Sequence, residues 1–201
     1  MYKVYGRPFA GSLIAEFLLS EANEKFEFIK IDYDTSKQDE FLKKNPLGKI
    51  PVLECPDGHL VFETTAIVAH IVETKSILVP KLGSLQRDLY NQSMSMMSTS
   101  IYQNYHHINH SYYYVSKENY DDLRNRANER QANLYNYIES ILNPYLCGEE
   151  ITAADFYLYM ISAWDQDRKK LFTDRPKLSS HIKELSDRPS IKKVISNHSS
   201  L

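Results

Sequence analysis

The stretch from Asn45 to Ile67, NPLGKIPVLECPDGHLVFETTAI, constrains the fold more than any other part of the chain. Ile50 to Glu54 is apolar and strand-like. Asp57-Gly58 supplies the positive φ angles of a two-residue hairpin turn, and Leu60 to Glu63 returns as the partner strand. Pro51 stands at the mouth of the first strand, where a missing N–H is tolerated. In the cis form, a proline there leaves the backbone of Ile50 unpaired and able to hydrogen-bond an extended ligand. Glu63-Thr64-Thr65 then meets the start of a helix, whose free N–H groups and positive dipole end suit an anion. A carboxylate acceptor, free amides and an unpaired strand edge fall within a few residues of one another. Together they make a docking place for a small zwitterionic peptide.

The residues before this stretch fix the rest of the first domain. Tyr2 to Tyr5 is a short strand broken by Gly6-Arg7-Pro8. Ser12 is an N-cap for a helix in which Leu13, Ile14, Phe17 and Leu18 form one apolar stripe. Phe26 to Ile31 is the second strand, so strand, helix and strand imply a right-handed crossover and a parallel pair. Gln38 to Lys44 offers a short helix closed by Asn45-Pro46 and Gly48, and Thr64 to Val72 a longer one. The order β-α-β-α-β-β-α matches a thioredoxin-like domain over residues 1–76.

Thr74 to Ser84 loses periodicity and carries Pro80 and Gly83, which marks a linker. Beyond it the pattern is helical: Leu85 to Tyr105 reads as one long helix and Tyr120 to Leu142 as another. Thr152-Ala-Ala-Asp155 is a helix-entry box, and Phe156, Tyr157, Met160, Ile161 and Trp164 follow as an apolar face. The expected fold class is therefore α/β plus all-α, with residues 1–76 thioredoxin-like and residues 85–201 all-helical.

Composition excludes several function classes. A net charge of −2 gives no reason to expect a nucleic-acid partner. No segment has the ~18 uninterrupted apolar residues of a membrane span. Met1 to Tyr5 leads into a strand rather than a signal peptide, so a cytoplasmic location is expected. Cys55 and Cys147 are isolated, too few for a disulfide framework and not spaced as CxxC. The terminal Ser-Ser-Leu falls short of the peroxisomal Ser-Lys-Leu pattern.

N-P-L-G-K-I-P-V-L followed by F-E-T-T-A-I resembles the glutathione-site signature of the soluble glutathione transferases. The T-x-x-D entry helix recurs in the helical half of that family. The resemblance implies that Ile50, before a cis Pro51, pairs by backbone with the cysteinyl unit of glutathione. It also implies that Glu63 and Thr64 hold the γ-glutamyl end. Lys49, and less directly Lys37, are placed to meet the glycyl carboxylate. Glutathione is then a co-substrate, no metal is implied, and the product is a homodimer. In such dimers the first domain of one subunit meets the second domain of the other.

Conjugation needs the ligand thiol ionised near neutral pH, against a free thiol pKa of about 8.5. A donor aimed at sulfur beside a helix N-terminus meets that need. Ser12 has the chemistry and the place, and Tyr5 at the end of the first strand is the competing donor. Some bacterial members carry A-C-S-L where this chain has Ala10-Gly11-Ser12-Leu13, so the cysteine of a mixed-disulfide mechanism is absent. The family places an apolar electrophile pocket on the first long helix of the second domain, which implies Tyr102, Tyr105 and His106. Helix packing is the plainer account of those tyrosines. His106 and His110 have i, i+4 spacing without a third ligand, so no metal is expected there. A second reading stays open: glutathione-transferase-like domains also serve as non-catalytic assembly domains in translation factors.

Overall fold

The computed structural model describes residues 1–199; Ser200 and Leu201, with the end of the Ser-Ser-Leu terminus, lie outside it. The chain divides into two compact units, Met1–Val79 together with the segment from Leu185 onward, and Pro80–Glu184.

The first unit is built on a four-stranded sheet of order β2-β1-β3-β4. Strand β1 (Tyr2–Gly6) runs parallel to β2 (Phe26–Lys30) across helix α1 (Leu13–Glu21), as a right-handed crossover requires. Short α2 (Asp39–Leu42) leads to the antiparallel pair β3 (Val52–Glu54) and β4 (Leu60–Phe62), and α3 (Thr64–Lys75) follows. Strand alternation sorts the core into two faces. Val4 and Leu53 pair across the sheet and are fully buried, as are Ile14, Phe17 and Leu18 of α1 and Ile67 and Ile71 of α3, two helices that pack together. Tyr5, Ile31, Phe41 and Val52 cluster on the face opposite Val4 and Leu53.

The hairpin departs from the expected two-residue turn. Gly58 N–H bonds Cys55 C=O at 2.9 Å and Cys55 N–H bonds His59 C=O at 2.9 Å, so the loop has three residues. Pro56 explains the change: its fixed φ seeds a type I turn at the second position, and Gly58, at φ 91°, closes it as a bulge.

The segment from Leu185 belongs to this unit through α10 (Pro189–His198). The Arg188 guanidinium is bidentate on the Glu21 carboxylate at 3.1 and 2.6 Å, and the Ser190 hydroxyl also donates to it. His198 Nε2 meets Glu16 Oε2 at 2.8 Å, with both side chains buried.

The second unit is helical. Helix α4 (Leu85–Met96) continues through a π turn (Met97–Ile101) into α5 (Tyr102–Asn109), where one unbroken α-helix to Tyr105 is the sequence expectation. Helix α6 (Tyr120–Ile141), α7 (Ala153–Ser162), α8 (Arg168–Thr173) and α9 (Pro176–Ser186) complete it. The α7 entry box forms fully. Asp155, with no exposed surface, accepts from Leu146 N at 3.0 Å, Thr152 N at 2.8 Å and Thr152 Oγ1 at 2.9 Å. Asp155 therefore ties α7 to the preceding loop and is structural. Glu139 of α6 accepts from Lys177 N and Leu178 N, satisfying the first amides of α9.

Candidate functional site

Strand register brings three chain segments to one end of the sheet. Tyr5 pairs with Val52 and Val52 with Phe62, so the loop after β1, the entry to β3 and the exit from β4 all lie there. Ile50-Pro51 is a cis peptide. The Ile50 N–H and C=O take no hydrogen-bond partner among the described residues. Buried Asn45 braces the approach: its Nδ2 donates to Lys49 O at 2.7 Å and its Oδ1 accepts from Leu47 N at 3.1 Å.

Glu63 precedes α3 at φ 70° and ψ 124°, a conformation that costs a non-glycine residue of order 1–3 kcal/mol. Its carboxylate is exposed and has no hydrogen-bond or ion-pair partner among the described residues. The first bond of the helix, Ile67 N to Glu63 O at 3.0 Å, leaves the Thr64, Thr65 and Ala66 amides at the dipole's positive end. Thr64 is half-buried beside them.

The lysines separate. Lys49 is exposed and its ammonium has no partner among the described residues. Lys37 instead braces the loop, donating to Gly48 O at 3.1 Å and lying over the Tyr33 ring.

Neither hydroxyl named from the sequence is presented outward. Ser12 is completely buried and donates to Arg7 O at 3.3 Å. It also interacts with the Glu16 carboxyl, which burial pushes above its ordinary value against the pull of His198 and Ser12. Gly6 permits this inward pose: a Cβ there would stand 2.2 Å from Ser12 Oγ. Ser12 does occupy the N-cap of α1, yet its side chain caps no amide. The Tyr5 hydroxyl donates to Glu54 Oε2 at 2.6 Å, inside a cluster with Lys3 and Lys44. Burial, then the Glu54 bond, raise its pKa, the wrong direction for an acid near neutrality.

What the loop does offer is backbone. Gly11 and Ser12 N–H make no hydrogen bond among the described residues, at the N-terminus of α1. Phe9, at φ 57°, is 45% exposed, and its N–H donates to His198 Nδ1 at 3.1 Å. Helix α10 thereby fixes the loop that carries these amides. No local sequence signal marks that role, because His198 lies 189 residues from Phe9.

In the second unit Tyr102, Tyr105 and His106 do come together. Tyr102 stacks on His106 with centroids 5.5 Å apart, and Trp164 packs against Tyr102 at 5.1 Å and Tyr105 at 5.0 Å. All four are half-buried. The π turn just before them shifts the helix phase, a feature common at functional sites. His106 and His110 rings are 5.2 Å apart, with the Tyr105 ring against both.

Comparison with known proteins fits this geometry. The model of the glutathione S-transferase N-terminal domain matches residues 1–73, and that of the glutathione S-transferase C-terminal domain matches residues 103–198. The chain belongs to the glutathione S-transferase family. This glutathione S-transferase is 24% identical over 200 residues to the GST-like protein YncG of Escherichia coli, covering 97% of each chain. It is 28% identical to glutathione S-transferase F7 of Arabidopsis thaliana, over 96% of this chain and 98% of that one. The fold superposes on a glutathione transferase homologue from Sulfitobacter, solved with glutathione bound, at a TM-score of 0.87 and 21% identity over 98% of both chains. A short stretch is 55% identical to elongation factor 1-gamma 2 of rice, but it spans 42 residues, 21% of this chain and 10% of that protein. None of the described helices is long and apolar enough to cross a membrane.

Proposed function

We propose that this protein is a glutathione transferase that binds glutathione at the Pro51–Glu63 end of the sheet and activates its thiol there. The carrying observation is the convergence, by strand register, of an unpartnered carboxylate with two helix N-termini and an unpaired strand entry. A γ-glutamyl group carries an ammonium and a carboxylate on one carbon. Glu63 meets the first; Thr64 and the first amides of α3 meet the second. Ile50 pairs with the cysteinyl backbone beside Pro51, and Lys49 meets the glycyl carboxylate.

The thiolate falls to the α1 N-terminus. There the Gly11 and Ser12 amides stabilise negative charge on sulfur by the rule that lowers cysteine pKa at helix N-termini. The thiol proton leaves to solvent; sulfur then bonds an electrophilic carbon as the leaving group departs with its bonding pair, or bonds a peroxide oxygen as the O–O bond breaks and the other oxygen leaves as an alkoxide that solvent protonates. We assign the electrophile to the Tyr102, Tyr105 and His106 cluster, and expect a homodimer in the cytoplasm, the arrangement the family resemblance implies.

Titration of glutathione by calorimetry, with thiolate absorbance followed at neutral pH, tests the reading. Binding with a lowered thiol pKa is expected, and Ser12→Ala and Tyr5→Phe should each leave that pKa in place. A pKa that returns upward in Ser12→Ala would hand the role to the serine hydroxyl. The rice factor match keeps the assembly-module reading in view; glutathione bound with an unperturbed thiol and no turnover would favour it.

A further inference from the structure

We propose that Cys55, His59 and His70 form a site for a divalent transition-metal ion of the zinc class. The three contribute ligand atoms that all lie within 4.8 Å of one another, and Cys55 Sγ is 3.2 Å from His70 Nε2. A tetrahedral ion with Zn–S of about 2.3 Å and Zn–N of about 2.0–2.1 Å spaces its ligand atoms by roughly 3.3–3.6 Å. The described geometry needs only a small swing of one group to reach that spacing. His59 is the group able to swing, since its side chain is 50% exposed.

The three-residue loop builds the site. Because Pro56 and Gly58 fold the turn tightly, the chain returns His59 directly beside Cys55, and His70 faces both from the second turn of α3. The Asp57 carboxylate lies 2.6 Å from His59 Nδ1. A carboxylate can only accept, so Nδ1–H donates and Nε2 keeps its lone pair for a metal. This carboxylate–imidazole arrangement orients metal-binding histidines elsewhere.

The chemistry selects the ion. One thiol and two imidazoles suit zinc and its neighbours and reject calcium or magnesium, which take oxygen ligands. On binding, the S–H proton leaves to solvent and the S–metal bond forms. Exposed His59 leaves the fourth position open to water. Cys55 and His70 lie at the opposite end of β3 and farther along α3 from Pro51 and Glu63, so the ion pins the hairpin to α3 without entering the glutathione site.

The full-length protein, stripped with a chelator and kept free of glutathione, is titrated with Co²⁺ and then Zn²⁺. One equivalent of Co²⁺ should give a thiolate-to-cobalt charge-transfer band that Zn²⁺ displaces. Cys55→Ser should abolish the band and His70→Gln should weaken Zn²⁺ binding at least tenfold. Cys147→Ser and the double variant His106→Gln, His110→Gln should retain both. No band in the wild type, or a band surviving in Cys55→Ser, overturns the site. Should Cys55→Ser fail to fold, surface variant His59→Gln decides: Zn²⁺ should raise the Tm of the wild type and not of this variant. Equal Zn²⁺ shifts in the two refute the proposal.

Discussion

Glu63 is the residue where binding and stability pull in opposite directions, and two substitutions separate them. Its carboxylate has no partner among the described residues, so Glu63→Ala removes no internal contact. If that oxygen accepts from the γ-glutamyl ammonium, the loss is one charge-assisted hydrogen bond, about 1.5–3 kcal/mol. The glutathione dissociation constant then rises about 10- to 150-fold. Glu63→Gly loses the same bond but also relieves the backbone at φ 70°. Relief is worth about 1–3 kcal/mol, offset by about 0.5–1 kcal/mol for the freer unfolded chain. The net gain is about 1 kcal/mol, a Tm rise of about 2–4 °C for a chain of this length. Calorimetry and thermal unfolding on wild type, Glu63→Ala and Glu63→Gly read both effects. Unchanged affinity in either variant removes Glu63 from the site. A lower Tm in Glu63→Gly shows that no strain is stored there.

Asp155→Ala leaves two buried amides and a hydroxyl without their acceptor, so urea unfolding should show a loss of about 3–5 kcal/mol, with glutathione affinity unchanged. The Lys3 bond, then Tyr5 and Lys44, hold the Glu54 carboxyl down at about 2, below its ordinary 4.5. The folded pKa is depressed, so this contribution is complete above pH 4.5 and is lost as pH falls toward 2. Partly exposed lysines limit it to about 1 kcal/mol, and Glu54→Gln should flatten that part of the acid-stability curve. Tyr105→Ala should raise KM for an apolar electrophile severalfold and leave glutathione affinity alone. An effect on glutathione affinity instead would move Tyr105 out of the electrophile pocket.

The parts of the fold legible in the sequence are those written in short-range chemistry. A short apolar run before Asp57-Gly58 named the strands of the hairpin, and a threonine with an aspartate three residues on named the entry to α7. The hairpin and helix start between Pro51 and Thr64 were legible because their elements are contiguous, so a register of a few residues assembles them. Ser12 was read as an outward donor because its type and position suit that role. Its actual direction depends on the missing Cβ of Gly6 and on Glu16, which is itself held by a histidine 182 residues away. The π turn was invisible for another reason: one residue added to a helical turn leaves the apolar pattern almost intact. Cys55, His59 and His70 fit no metal-binding motif, since strand, loop and helix each supply one ligand.

The pairing of α1 with α10 sets an order on synthesis. Glu16 leaves the ribosome 182 residues ahead of His198, and Glu21 leaves it 167 and 169 residues ahead of Arg188 and Ser190. Until then a buried carboxylate on α1 has no imidazole and the Phe9 amide no acceptor. The sheet can pair while the helical unit is still being made, but the loop at its edge cannot settle. Removing α10 would strip the Phe9 amide and the Glu16 carboxyl of their shared imidazole, so a cut made nearly 190 residues away would be felt in the loop that opens α1.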